Sequence, residues 1–234
     1  MNGVLFGDKH SYRDWGLFLA DRPTISEPEP KTMYIDIPAS NGSIDLTESL
    51  TGEVNYYDRK ITMNFLMVDK RSNWAETTSV IADYLHGQRM KIWMDEDLAY
   101  YYEGRLQINS LKSDKVKQTI VIEGTVYPFK YEKFSSLEDW LWDDFNFETG
   151  IIRDYKDLEV DGSLDLLIAG RKLSVTPVFY VSNSSGLTVT YDGETYSLSD
   201  GTNRFVALIL PEGDNTLHFS GSGTVSVDYR GGRL

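Results

Sequence analysis

The 234-residue chain contains no cysteine. That absence removes a disulfide scaffold, a thiol nucleophile and cysteine-based zinc sites together, and it suits a chain that folds in a reducing cytosol. Histidine is almost as scarce. His10, His86 and His218 lie far apart, and none has a second His at metal-ligand spacing. Each reads as structural or solvated, with His86 at a helix C-terminus where positive charge suits the dipole. Long apolar runs are missing too. Nowhere do ~18 apolar residues follow one another, so no membrane-spanning helix is expected. The opening Met1-Asn2-Gly3-Val4-Leu5-Phe6-Gly7-Asp8 lacks the basic segment and apolar core of a secretory signal. The expectation is a soluble protein. Basic residues are outnumbered, 23 against 36 acidic, for a net charge of −13. Phosphate binding needs clustered Lys and Arg, so specific nucleic-acid binding is not expected.

Catalytic signatures are absent as well. The chain has no Gly-x-Ser-x-Gly elbow, phosphate-cradling glycine loop or His-Glu-x-x-His helix. Carboxylate pairs such as Asp95 with Asp97 and Asp143 with Asp144 are what so acidic a chain scatters by coincidence. A glycosidase would need two of them across a cleft. Asp192-Gly193-Glu194 and Glu212-Gly213-Asp214 lack the spacing of a calcium loop, and turn chemistry explains both. No catalytic residue, metal or cofactor is expected.

What the chain does have is core material, at 41% hydrophobic and 13% aromatic residues, arranged mostly at the period of strands. Ile61, Met63, Phe65 and Met67 fall on one face of a long strand, while Thr62 and Asn64 begin the other, which turns apolar at Leu66 and Val68. Before it, residues 35–37 and 44–46 flank a Gly42-containing turn. The Pro-rich Arg22 to Pro30 segment is an extended connector. One helix stands out over 73–86. Asn73 and Glu76 occupy capping-box positions, Trp74, Thr78, Ile81 and Leu85 form one apolar stripe, and Gly87 supplies the stop. Further strands are expected at 90–94, 99–108 and 116–127.

The character changes near residue 134. Up to Lys133 there are 16 basic and 20 acidic residues, a net of −4; from Phe134 there are 7 and 16, a net of −9. We expect an N-terminal domain over 1–133, a connector over 134–157 and a C-terminal domain over 158–234. Short strands are expected in the last at 164–168, 173–181, 187–191, 195–198, 205–210, 216–219 and 224–229. Between them lie turn signals at Asn183-Ser184-Ser185-Gly186, Asp192-Gly193, Asp200-Gly201, Pro211 to Asn215 and Gly221-Ser222-Gly223. Such spacing suggests a β-sandwich or jelly roll. Trp140 and Trp142, or Tyr100 to Tyr102, are the candidate sugar-stacking or partner contacts, with packing and subunit contact favoured.

A series of motifs resembles the distal tail protein (Dit) family of siphophages and prophages of Gram-positive bacteria. It comprises Gly42-Ser43-Ile44-Asp45-Leu46-Thr47-Glu48, Tyr57-Asp58-Arg59-Lys60-Ile61-Thr62 with Phe65 beyond, and Leu85-His86-Gly87. Tyr101-Tyr102-Glu103-Gly104-Arg105-Leu106 and Val126-Tyr127-Pro128-Phe129-Lys130-Tyr131 follow in the family's order. The positions that carry it are Gly42, Asp45, Arg59, Phe65, Gly104 and Pro128. The resemblance covers about 90 residues of the N-terminal half; the C-terminal half matches in character more than in motif. It implies a mainly β protein of two β-sandwich domains. The N-terminal one would have a single helix and a β-hairpin extension, and the C-terminal one would be galectin-like. It also implies a structural, non-enzymatic role in the virion, assembled in the host cytoplasm. A six-fold ring would link the tail tube to tail-tip, tail-fibre and receptor-binding proteins and let DNA through, without membrane contact. An acidic channel would not hold phosphates by attraction. The alternative is a carbohydrate-binding adhesion module acting through the C-terminal β-sandwich.

Overall fold

The computed structural model describes residues 3–67, 73–113, 118–138 and 154–234. The chain divides into two compact units, one of residues 1–97 and 102–128 and another of 98–101 and 129–234. It is mainly β and antiparallel.

The first unit runs β1 (Val4–Phe6), β2 (Lys9–His10), α1 (Ser11–Trp15), β3 (Leu17–Leu19), β4 (Thr24–Ile25), β5 (Tyr34–Asp36), β6 (Ser43–Asp45), β7 (Arg59–Met67), α2 (Trp74–Leu85), β8 (Arg89–Met94), β9 (Asp97–Ser113) and β10 (Gln118–Val126). Its main sheet has the order β2-β1-β8-β9-β10-β7-β3, with β4 also on β7. In a flat sheet Phe6 on β1 and Phe65 on β7 would stand about 19 Å apart, four strand spacings of ~4.8 Å. Their ring centroids are 6.1 Å apart. The sheet therefore curls over on itself until β1 meets β7 across the core. The alternation read from the sequence supplies that core: Ile61, Met63, Phe65 and Met67 are all buried. Leu66 on the opposite face is half-buried, and Val68 lies outside the described residues.

Helix α2 packs on this core through the four stripe residues Trp74, Thr78, Ile81 and Leu85. Gly87 follows at φ +77°, a conformation that favours glycine. The expected capping box is not made, because Asn73 has helical backbone angles and its side chain forms no cap hydrogen bond. A cap residue must be extended for its side chain to reach the first free N–H groups. The structure also adds a second, five-residue helix where one helix was expected. The His10 ring nitrogen Nδ1 caps α1 by accepting from the Tyr12 and Arg13 amides at 3.1 and 3.2 Å, and Gly16 at φ +64° ends it.

The second unit holds β11 (Lys130–Glu132), β12 (Leu158–Gly170), β13 (Val178–Tyr191), β14 (Glu194–Ser197), β15 (Gly201–Arg204), β16 (Gly213–Asp228) and β17 (Gly232–Arg233). Strands β11 and β17 pair, and β11 also pairs with Tyr100 and Tyr101. The larger sheet has the order β12-β16-β13-β14, with β15 on β13. Three strands here are far longer than the sequence pattern suggested. The Asn183 to Gly186 and Gly221 to Gly223 clusters are not hairpin turns. Strand β13 continues through the first, with register shifts at Ser182/Ser185 and Ser185/Thr188, and β16 continues through the second. Gly162 of β12 pairs with Gly221, which lies against the Gly186 carbonyl. The three strands thus bend on one row.

The bend is sharp. Phe179 is in register with Val227, eight residues from Phe219, or ~26 Å along a straight strand. The Phe179 and Phe219 rings nevertheless meet at 6.1 Å. One sheet folded on its apolar face thus makes the sandwich, and Phe179, Leu187, Val189, Leu217, Phe219, Val225 and Val227 all enter one core. The strand expected at 205–210 is instead a loop after β15, with Leu210 bridged to Val175. Its alternation is real because Leu208 and Leu210 are fully buried. Asn215 ties down the following turn, donating to the Pro211 and Gly213 carbonyls at 3.0 Å and accepting from the Tyr191 hydroxyl at 2.6 Å.

Candidate assembly surfaces

Between β4 and β7 the chain leaves the sheet as an arm. Its stem is the Pro30–Tyr56 bridge, flanked by bonds from the Lys31 amide to the Asn55 carbonyl and from the Tyr57 amide to the Glu29 carbonyl. Beyond it β5 and β6 form a two-stranded ribbon in which Tyr34 faces Asp45 and Ile35 faces Ile44. Every residue of both strands is exposed. Tyr34 is 59% exposed and Leu50, past the ribbon, 92%. A two-stranded ribbon alone is marginal in water, and this one keeps large apolar side chains that its own unit does not cover. From Lys31 to Asp58 one Lys stands against five acidic residues, a net of −4.

On the outer face of the main sheet lies a groove of about 540 Å³, lined by residues of β7, β8, β9 and β10 and the end of α2. Strand register aligns Arg89, Arg105, Thr125 and Lys60 in one row across four strands. Three cations in a row stand out on so acidic a chain. Acids flank them. Glu103 binds the Arg89 guanidinium at 3.1 Å, which also lies 4.7 Å from the centre of the Tyr127 ring. Glu123 accepts from Asn109 at 2.6 Å.

The structure places the six motif positions in three settings. Gly42, at φ +77°, and Asp45 belong to the arm. Thr47 donates to Asp45 through its hydroxyl and its amide, at 2.5 and 2.9 Å, and these bonds lower the pKa of Asp45. Phe65 is core. Arg59, Gly104 and Pro128 come together at one end of the sheet, where Val126 pairs with both Arg59 and Gly104. The buried Arg59 guanidinium donates to the Pro128 carbonyl and lies 5.6 Å from the Tyr102 ring centre. A Cβ on Gly104 would come within 2.1 Å of the Thr125 carbonyl oxygen, so only glycine fits there. Trp140 and Trp142 lie outside the described residues. Tyr101 and Tyr102 are buried, which leaves neither face open to a sugar ring.

The three histidines differ. His10 spends Nδ1 on the α1 cap and points Nε2 at Asp95, 3.2 Å away. His86 accepts the Ile108 amide at Nδ1. His218 lies on the outer face of the second unit between Asp165 and Ser220. Sequence reading missed that grouping, whose one local trace is His-x-Ser on alternate residues of a strand. Among the described residues, no group of three or more His, Asp or Glu side chains is placed to hold a metal ion.

These features define a mainly β protein of two curled antiparallel sheets that presents an arm and a groove. No protein-family model matches the chain, and no curated protein matches it in sequence. Among solved structures it shares its fold with the SPP1 Dit protein, described as a paradigm of the hub adsorption apparatus in phages that infect Gram-positive bacteria. The likeness covers 98% of this chain and 99% of that one, at 10% identity and a TM-score of 0.56.

Proposed function

We propose that this chain is a distal tail protein: a structural, ring-forming hub of a phage tail tip. In this reading it joins the tail tube to tail-tip, tail-fibre and receptor-binding proteins and leaves a passage for DNA. The observation that carries it is the whole-length fold likeness to a phage adsorption hub protein. The arm agrees with it, since apolar side chains held in water on a thin ribbon call for a neighbour. The acidic arm and the cationic row of the groove are complementary, and they lie on different surfaces of one unit. An arm set on the next copy's groove is a heterologous contact, which closes into a ring when the rotation allows. The second unit, read as galectin-like, decorates the outside of the ring.

Light scattering with negative-stain imaging tests this. Six copies of 26.7 kDa give roughly 160 kDa and visible rings. The double variant Ile35→Asp/Leu50→Asp changes two exposed side chains and is expected to run as a monomer. A wild-type chain that stays monomeric, alone and co-expressed with its tail-tube protein, overturns the hub reading. Rings in the double variant overturn only the role of the arm.

A further inference from the structure

The outer face of the second unit carries an arrangement that an architectural role does not use. Strands β12, β16, β13 and β14 turn two rows outward. One row is Asp165, His218, Thr190 and Thr195; the next is Ser163, Ser220, Thr188 and Ser197. The alternate residues Leu217, Phe219 and Val189 are buried, so side-chain direction on this face is fixed by the strand period. Apart from the Asp–His pair, both rows consist of small hydroxyl residues. His218 Nδ1 lies 2.5 Å from Asp165 Oδ1, and His218 Nε2 lies 3.2 Å from Ser220 Oγ.

These contacts fix the roles of the atoms. A carboxylate only accepts, so Nδ1 of neutral His218 carries the proton and donates it to Asp165. The Nε2 lone pair is then left facing the Ser220 hydroxyl. A nucleophile within reach of a base, with the base oriented by a third group, is the general signature of an activated hydroxyl. His10 shows the contrast. It also meets an aspartate, but its Nδ1 lone pair is spent on two backbone amides and its Nε2 faces the acid. The three groups come from Asp165 on β12 and from His218 and Ser220 on β16, brought into register by the ladder. Ser220 also pairs with Thr188, directly beside the register shift at Ser185/Thr188. Such bulges are frequent next to reactive sites.

We propose that Ser220 is a nucleophile toward activated acyl esters, with His218 as its general base and Asp165 as the positioning residue. Ser220 Oγ forms a bond to the acyl carbon as its proton passes to His218 Nε2. The carbon–oxygen bond to the leaving group then breaks, and the departing oxygen takes that proton. Water, deprotonated by His218, hydrolyses the resulting ester and restores the Ser220 hydroxyl. The hydroxyl of Ser163, the residue paired with Ser220 across β12 and β16, is the oxyanion donor at hand, since the Thr188 hydroxyl donates to the Ser220 carbonyl at 3.4 Å. Without a pair of backbone amides, each donor of which is worth about 10²–10³ in rate, the site takes esters with good leaving groups and not amides.

The test uses the full chain with p-nitrophenyl acetate and, in parallel, a fluorophosphonate probe whose adduct is mapped by mass spectrometry. The expected result is an adduct on Ser220 and ester turnover that Ser220→Ala abolishes. His218→Ala should slow both by about 10²-fold, the lower end of what general-base catalysis contributes. Asp165→Asn should slow them, with part of the rate returned by Asp165→Glu, as orientation of the imidazole by a carboxylate requires. Ser220→Cys keeps a nucleophile in place, and its acylation should persist and depend on His218. An adduct on another residue, turnover unchanged in Ser220→Ala, or no adduct at all overturns the proposal. All three positions face solvent or its margin, so circular dichroism should match wild type throughout.

Discussion

Tyr84 shows how much one side chain can hold in this fold. From α2 its hydroxyl donates to the Asp8 carboxylate, accepts from the Asp8 amide at 3.2 Å and lies 2.9 Å from the Phe6 carbonyl oxygen. It thereby clamps the β1–β2 turn, where a side chain on Gly7 would collide with it. Its hydrogen bond lowers the pKa of Asp8, while burial first and Asp8 second raise that of Tyr84. The depressed carboxyl stabilises the fold above the ordinary carboxylate range and stops doing so as pH falls through its lowered value. The raised phenol stabilises it below the ordinary tyrosine range, and that contribution is lost as pH rises through its own value. Tyr84→Phe should cost about 1–2 kcal/mol, with a flat difference from wild type between roughly pH 5 and pH 9 that narrows on both sides. Urea titrations across that range measure it, and a gap constant from about pH 3 to pH 10 sinks the assignment. None of this was legible from sequence, because Tyr84 and Asp8 are 76 residues apart. The α2 stripe was legible, since Trp74, Thr78, Ile81 and Leu85 need only the helix period to align.

Among elements, the second unit's three long strands depart furthest from their sequence pattern. Glycine and asparagine clusters supply positive φ, which a hairpin turn and a β-bulge use equally. Which of the two forms depends on whether a neighbouring strand continues past the cluster, and here all three neighbours do. Gly221, at φ +108°, also has the Gly186 carbonyl where its Cβ would be, 2.5 Å away; Gly162, at φ +84°, has open space. Gly221→Val should therefore cost strain plus a backbone collision, on the order of 3 kcal/mol, while Gly162→Ala costs backbone strain alone, about 1 kcal/mol. Denaturation midpoints of the two variants compare them, and equal losses would show that the bend does not depend on close approach at Gly221. The arm is the opposite case. Its strands and Gly42 turn were readable because they pair locally, across only a few residues.

For the whole molecule, charge was the plainest guide. A net of −13 leaves three aligned cations in the groove, of which Arg89 is paired with Glu103, and such a surface should not retain duplex DNA. In a gel-shift titration at about 50 mM salt, where phosphate attraction is strong, mobility of a short duplex should be unchanged up to tens of micromolar protein. Retardation would contradict a DNA passage lined by this chain's acidity. By itself the sequence determined the β class, the amphipathic helix, the separate character of its two halves, the hairpin arm and the lack of any local catalytic or metal-binding motif. Each of these rests on composition or on periods of two and 3.6 residues, which a short window contains. Only the tertiary structure decided that each main sheet curls onto its own apolar face, that Arg59, Gly104 and Pro128 meet, and that Asp165 stands beside His218. Those outcomes depend on register between strands distant in the chain, and register is chosen by the packing of the core as a whole.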